Sequence, residues 1–142
     1  QVPPPAAMPG EVAHSLGGCF EVRREVKEGD EPLERRAGGR LWVRAVGPLP
    51  DDPILHDCLQ FYVSDLGSPW NAAESAHLKV MVSLDHAVWL HRPTRMDDWH
   101  HIDLEPVAMA DARGFYTGHM WNRDGTQVAS IAQENLMRPR PV

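Results

Sequence analysis

A chain of 142 residues fits one domain, and a globule of that size buries roughly 70% of the surface its unfolded form would expose. Its 42% apolar and 24% charged residues are those of a globular chain and exclude the compositions of disordered and fibrous ones. The formal charge of -6 argues against nucleic acid as a partner, although twelve of the fourteen basic residues are Arg and so permit a local anion site.

Cys19 and Cys58 have no neighbour at metal-ligand or redox-motif spacing and read as buried thiols. No apolar run reaches the roughly eighteen residues of a membrane helix, and the N-terminal region lacks a basic-then-apolar signal pattern. The closing Pro-Arg-Pro-Val is no peroxisomal address, so the expected location is cytoplasmic.

Taken in chain order, QVPPPAAMPG suits an extended linker, and residues 1–17 are expected to be a Pro-rich linker or tail. A linker at the start implies a preceding element. Residues 19–24 alternate weakly as a strand, and KEGDEPLERRAGGR is loop-like. RLWVRAV, residues 40–46, alternates as a half-buried strand should. Asp52 then caps a helix opening at Pro53, with Ile54, Leu55, Cys58, Leu59, Tyr62, Val63 and Leu66 at helical spacing and Gly67 as the stop. That stripe predicts a helix buried along most of its length, with Cys58 an inert core thiol.

Four more strands follow, over residues 78–84, 99–105, 113–122 and 127–137, with Asp124-Gly125 as the hairpin turn between the last two. Pro93 and Pro106 fall at strand margins, where a missing amide proton does least harm. Strand, strand, long helix and four strands make an α+β domain, with one helix on an antiparallel sheet. The expected domain covers residues 18–138, with a short tail at 139–142.

His86, His91, His100, His101 and His119 raise the possibility of a metal site, but odd and adjacent spacings place them on opposite strand faces. Polar or partly buried histidines on strand surfaces are expected instead, and no metal. Ser83, His86 and Asp85 can be written as a triad, but the chain has no Gly-x-Ser-x-Gly elbow. The glycines at Gly38, Gly39 and Gly67 match no phosphate loop. Asp85, between KVMVSL and AVWL, and Gln133, within VASIAQENLM, are polar groups in apolar surroundings. Spacing leaves two readings open: a turn cap and a satisfied backbone group, or a pair put to chemical use.

SLDHAVWLHRPTRMDDWHHIDLEP and ARGFYTGHMWNRDGTQVASIAQENLMRP resemble the end of the acyl-CoA thioesterase II family. There Asp-His-x-x-Trp-x-His-Arg-Pro leads to Arg-Gly and closes with Asp-Gly-x-x-Val-Ala-Ser-x-x-Gln-Glu-x-x-x-Arg. The upstream LWVRAVGPLPDD and YVSDL are also similar, so the likeness covers about residues 40–138. It implies a hot-dog fold, the second of two such domains, with the first absent and self-association or a second hot-dog domain as partner. It also implies hydrolysis of fatty acyl-CoA to free fatty acid and CoA, without metal or organic cofactor, CoA entering only as part of the substrate. Asp85 would be the base toward a water that Gln133 orients. The family's hydroxyl position falls at Val107, beside Ala108, which implies reduced activity or help from Ser83 or Thr117. The alternative is a non-catalytic half that binds acyl-CoA or completes a partner's active site.

Overall fold

The computed structural model describes residues 12–15, 18–24, 39–67 and 78–139. The Pro-rich start, most of the charged loop before residue 39 and the SPWNAAES segment lie outside the described residues. In order the elements are β1 (Val12–Ser15), β2 (Phe20–Arg24), β3 (Arg40–Ala45), α1 (Pro53–Ser64), β4 (Leu78–Ser83), β5 (Ala87–Leu90), β6 (His100–Ala110), β7 (Arg113–Asn122) and β8 (Gln127–Pro139). β1 falls within residues 1–17, where a tail was expected; its four residues pair with β2 and are too few for alternation to register.

All the ladders are antiparallel, in the order β1-β2-β3-β6-β7-β8-β4, with β5 also pairing β8. The expected α+β class holds, with one helix against a curled sheet among the described residues. β7 shows the cause most plainly: Gly114, Tyr116, Gly118 and Met120 alternate inward while their neighbours face out. The inward residues of β2, β3, β6, β7 and β8 join Val63 of α1 in one core that includes Val22, Leu41, Val43, Ile102, Tyr116, Met120 and Ile131. Gly118 leaves no room for a larger residue, since an added Cβ would run into the Leu104 side chain and the Asp103 carbonyl.

Local signals set the two sharpest features. The Asp52 carboxylate accepts from the Ile54 amide at 3.0 Å, and Pro53 opens α1 where its missing donor costs nothing. In the β7–β8 hairpin Gly125 takes φ of 86°, and the Asp124 carboxylate accepts from the Thr126 amide at 2.8 Å. That bond holds the Asp124 carboxyl below its ordinary value.

Three expectations require correction. The first concerns the orientation of α1. Ile54, Cys58 and Tyr62 are exposed, Ile54 at 73%, and the buried residues are His56, Gln60, Val63 and Ser64. The polar side meets the sheet because tertiary hydrogen bonds await it: His56 Nδ1 accepts from the Met96 amide at 3.1 Å, and Ser64 meets His86. Cys58 is therefore no core thiol, and Cys19 is exposed too, beside Gly18, whose φ is 80°.

The second correction is β6, which runs through Pro106 to Ala110. β3 pairs with it only as far as Asp103, so at Pro106 β7 is the one partner in the described sheet and no central ladder is lost. The ladder shifts register between Pro106 and Ala108, a bulge that contains Val107. The third is the number of strands after the helix: the strand expected at 78–84 is β4, but a further strand, β5, begins at Ala87, so five strands follow α1 where four were expected.

Candidate active site

The break between β4 and β5 faces the middle of β8. β4 pairs with β8 up to Ser83 opposite Asn135, and β5 resumes at Ala87 opposite Ala132. Across the gap the Leu84 amide donates to the Glu134 carbonyl at 2.8 Å. The Glu134 amide, left without a ladder acceptor, donates to Asp85 Oδ1 at 2.8 Å. The exposed Asp85 carboxylate thus completes the ladder with a side-chain oxygen, which anchors it at one point.

Gln133, one residue before Glu134, points the other way, into the sheet's concave side beneath α1, and is 1% exposed. Its Nε2 donates to Asp65 Oδ1 at 2.9 Å and to Ser83 Oγ, and its Oε1 meets His86 Nδ1. His86 Nε2 lies 2.7 Å from Ser64 Oγ, which itself donates to the Phe61 carbonyl at 2.6 Å. Nearby, Tyr116 donates its hydroxyl to the Gly67 carbonyl at 3.2 Å. Burial, with the Asp65 charge beside it, pushes that phenol well above its ordinary value.

The sheet register places the three positions named from the sequence in one row. Val107 sits in the bulge facing Phe115 and Tyr116 of β7; those residues pair with Glu134 and Gln133 of β8; Asp85 bonds to Glu134. With strands about 4.8 Å apart, the row spans only a few strand widths. The side chains of Asp85 and Gln133 hold different groups, and Val107 is 58% exposed and brings no hydroxyl. Of the substitute hydroxyls, Ser83 touches Gln133, whereas Thr117 follows inward-facing Tyr116 and lies on the other face of β7.

The triad written from Ser83, His86 and Asp85 does not assemble, because His86 pairs with Ser64 and Gln133 while Asp85 bonds to backbone. The histidines are held separately: His91 by Ser130, His100 by Thr94 and the Asp98 carbonyl, His101 against Trp42, and His119 by Gln127. His100 and His101 are buried, not on the strand surface as expected, and burial holds the His100 imidazole below its ordinary value. Among the described residues no three His, Cys, Asp or Glu side chains converge.

Sequence reasoning missed Asp65 and Ser64. Both end α1 and meet β8 residues or their neighbours far along the chain; a Ser-Asp pair closing a helix gives no signal of that encounter.

Comparison with known proteins bears on this arrangement. The family described as the acyl-CoA thioesterase C-terminal domain matches residues 1–137. Acyl-coenzyme A thioesterase 8 of Rattus norvegicus is 37% identical over 106 residues, 71% of this chain and 33% of the relative. Acyl-CoA thioesterase 2 of Haemophilus influenzae is 30% identical over 103 residues, 68% of this chain and 36% of the relative. The chain therefore spans about a third of the length of these curated relatives. The crystal structure of the acyl-CoA thioesterase II TesB2 from Mycobacterium marinum superposes with a TM-score of 0.79 at 32% identity, covering 99% of this chain and 55% of that one. A hot-dog protein from Alicyclobacillus acidocaldarius shares the fold, with a TM-score of 0.71 at 21% identity, covering 100% of this chain and 55% of that one.

Proposed function

The chain belongs to the family of acyl-CoA thioesterase C-terminal domains, has the hot-dog fold, and from that premise we propose that it hydrolyses fatty acyl-CoA at the row joining Asp85, Gln133 and Val107. A water oxygen attacks the thioester carbonyl carbon and Asp85 takes a proton from it. The C–S bond then breaks, and CoA thiolate leaves, taking the proton back from Asp85 to become the thiol, while the acyl group with the water oxygen and its remaining proton leaves as a fatty acid. Gln133 orients the water without changing charge. The reaction calls on no metal or organic cofactor.

The observation that supports this reading is the anchoring of the Asp85 carboxylate on the Glu134 amide, one residue from Gln133, at the break between β4 and β5. A thiol-release assay across acyl-CoA chain lengths tests it. Asp85→Asn keeps an acceptor for the Glu134 amide, so the rate should fall by about 100-fold or more with the unfolding temperature unchanged. Asp85→Ala should lose the rate and also cost about 1 kcal/mol, because that amide loses its acceptor. An undiminished rate in Asp85→Asn removes Asp85 from the reaction.

A second reading draws on Val107: a half that binds acyl-CoA, or completes a partner's site, without turnover. Calorimetric binding of acyl-CoA with no thiol release would favour it. Under either reading the exposed Ile54, Phe61 and Tyr62 of α1 support pairing with a second hot-dog domain, in another chain or another part of the same one.

A further inference from the structure

The cluster around Gln133 constrains which way its carboxamide points. An ionised carboxylate only accepts, so the Gln133 atom facing Asp65 Oδ1 at 2.9 Å is the amino nitrogen. Its second proton goes to Ser83 Oγ, whose own hydroxyl donates to the same Asp65 oxygen at 3.3 Å. Both donors of the amide are then spent, and Oε1 faces His86, which must carry its proton on Nδ1.

The opposite arrangement satisfies the other end of the cluster better. With Nε2 turned to His86, the imidazole would be protonated on Nε2 and donate to Ser64 Oγ, leaving the Ser64 proton for the Phe61 carbonyl. In the observed orientation the single Ser64 proton faces two acceptors, His86 Nε2 at 2.7 Å and the Phe61 carbonyl at 2.6 Å. What opposes the flip is the carboxylate of Asp65, which would then face a carbonyl oxygen.

We infer that Asp65 and His86 are positioning residues that lock the Gln133 carboxamide, with both amide protons spent on Asp65 and Ser83 and one Oε1 lone pair on His86, so that only the second Oε1 lone pair is left and Gln133 accepts from the reacting water and never donates to it. This deepens, and rests on, the hydrolytic reading above. A water giving one proton to Gln133 Oε1 and the other to Asp85 keeps an oxygen lone pair free for the thioester carbon. A Gln133 that donated to the water would instead draw on one of the water's two lone pairs and leave the oxygen a poorer nucleophile.

The test uses the full chain labelled with 15N, with His86 ring nitrogens followed by NMR above the pH at which the ring titrates, alongside acyl-CoA kinetics. Wild type should carry the His86 proton on Nδ1. Asp65→Ala should move it to Nε2 and lower kcat about tenfold with KM within about twofold. Asp65→Asn, which still offers an acceptor oxygen, should keep the proton on Nδ1 and restore most of the rate. The acid limb of the rate–pH profile should stay in place in both variants. A wild-type proton on Nε2, or an Asp65→Ala ring identical to wild type, overturns the inference. So does an Asp65→Asn enzyme that loses the acid limb, which would make Asp65 itself the base. A wild-type chain that releases no thiol from any acyl-CoA sinks the hydrolytic reading alone, and the tautomer measurement still decides how Gln133 is held.

Discussion

At the scale of single residues, what a side chain can do here depends on which of its hydrogen-bonding positions are already taken. Asp85 spends one oxygen on the Glu134 amide and is exposed; Gln133 spends both amide protons and is buried. Val107 has nothing to spend. Threonine differs from valine by one hydroxyl in place of a methyl, and the 58% exposure of Val107 leaves room for that change without a buried polar cost. If a hydroxyl there supplies one orienting bond to the water, Val107→Thr should raise kcat by about tenfold or more, on the scale of a single transition-state hydrogen bond. Steady-state thiol release measures it, and an unchanged or lower kcat would show that the hydroxyl position plays no part in this chain.

At the scale of elements, α1 follows only in part the usual rule that the apolar face of a helix turns inward: Val63 is buried and Leu59 packs on the core, yet Ile54, Phe61 and Tyr62 are exposed. His56, Gln60 and Ser64 lie four residues apart along one side, and that side is buried. His56 and Ser64 find partners, but neither the Oε1 nor the Nε2 of Gln60 has one among the described residues, although its exposure is 0%. A buried amide in that state costs about 1–3 kcal/mol. Gln60→Leu, of similar volume, should therefore stabilise the domain by about 1 kcal/mol or more, and thermal unfolding should register an increase of a few degrees. A fall in unfolding temperature would mean that the amide makes a bond worth more than its burial costs.

At the scale of the whole molecule, the entry to the helix and the connection from β5 to β6 are clamped together. Arg95 donates to Asp97, Asp51 and the Leu49 carbonyl, the Leu49 amide donates to Asp97, and the Ala45 amide donates to the Met96 carbonyl. The Arg95 guanidinium, helped by the Leu49 amide, lowers the Asp97 carboxyl to about 2. A depressed carboxylate stabilises the fold above its unfolded value, near 4, and that contribution fades as pH falls toward about 2. Asp97→Asn should consequently be less stable than wild type at neutral pH, with the gap closing between about pH 4 and pH 2. Denaturant midpoints taken across that range measure it, and a gap independent of pH would assign the loss to packing instead.

The sequence by itself determined what nearest neighbours decide. Asp52 before Pro53, Asp124 before Gly125 and the alternation of β7 act through bonds and sterics within a few residues, and each is visible in the string of letters. Asp85 and Gln133 could likewise be named, from motif resemblance and from their polar character in apolar runs. The tertiary structure alone decided which side of α1 meets the sheet, where β4 stops so that Asp85 completes a ladder, and that Asp65 faces Gln133 across 68 positions of chain. Spacing counts only apolar residues; it does not show that a distant backbone amide or imidazole waits for a polar side chain, and that encounter sets the rotation of the helix and the direction in which the amide faces.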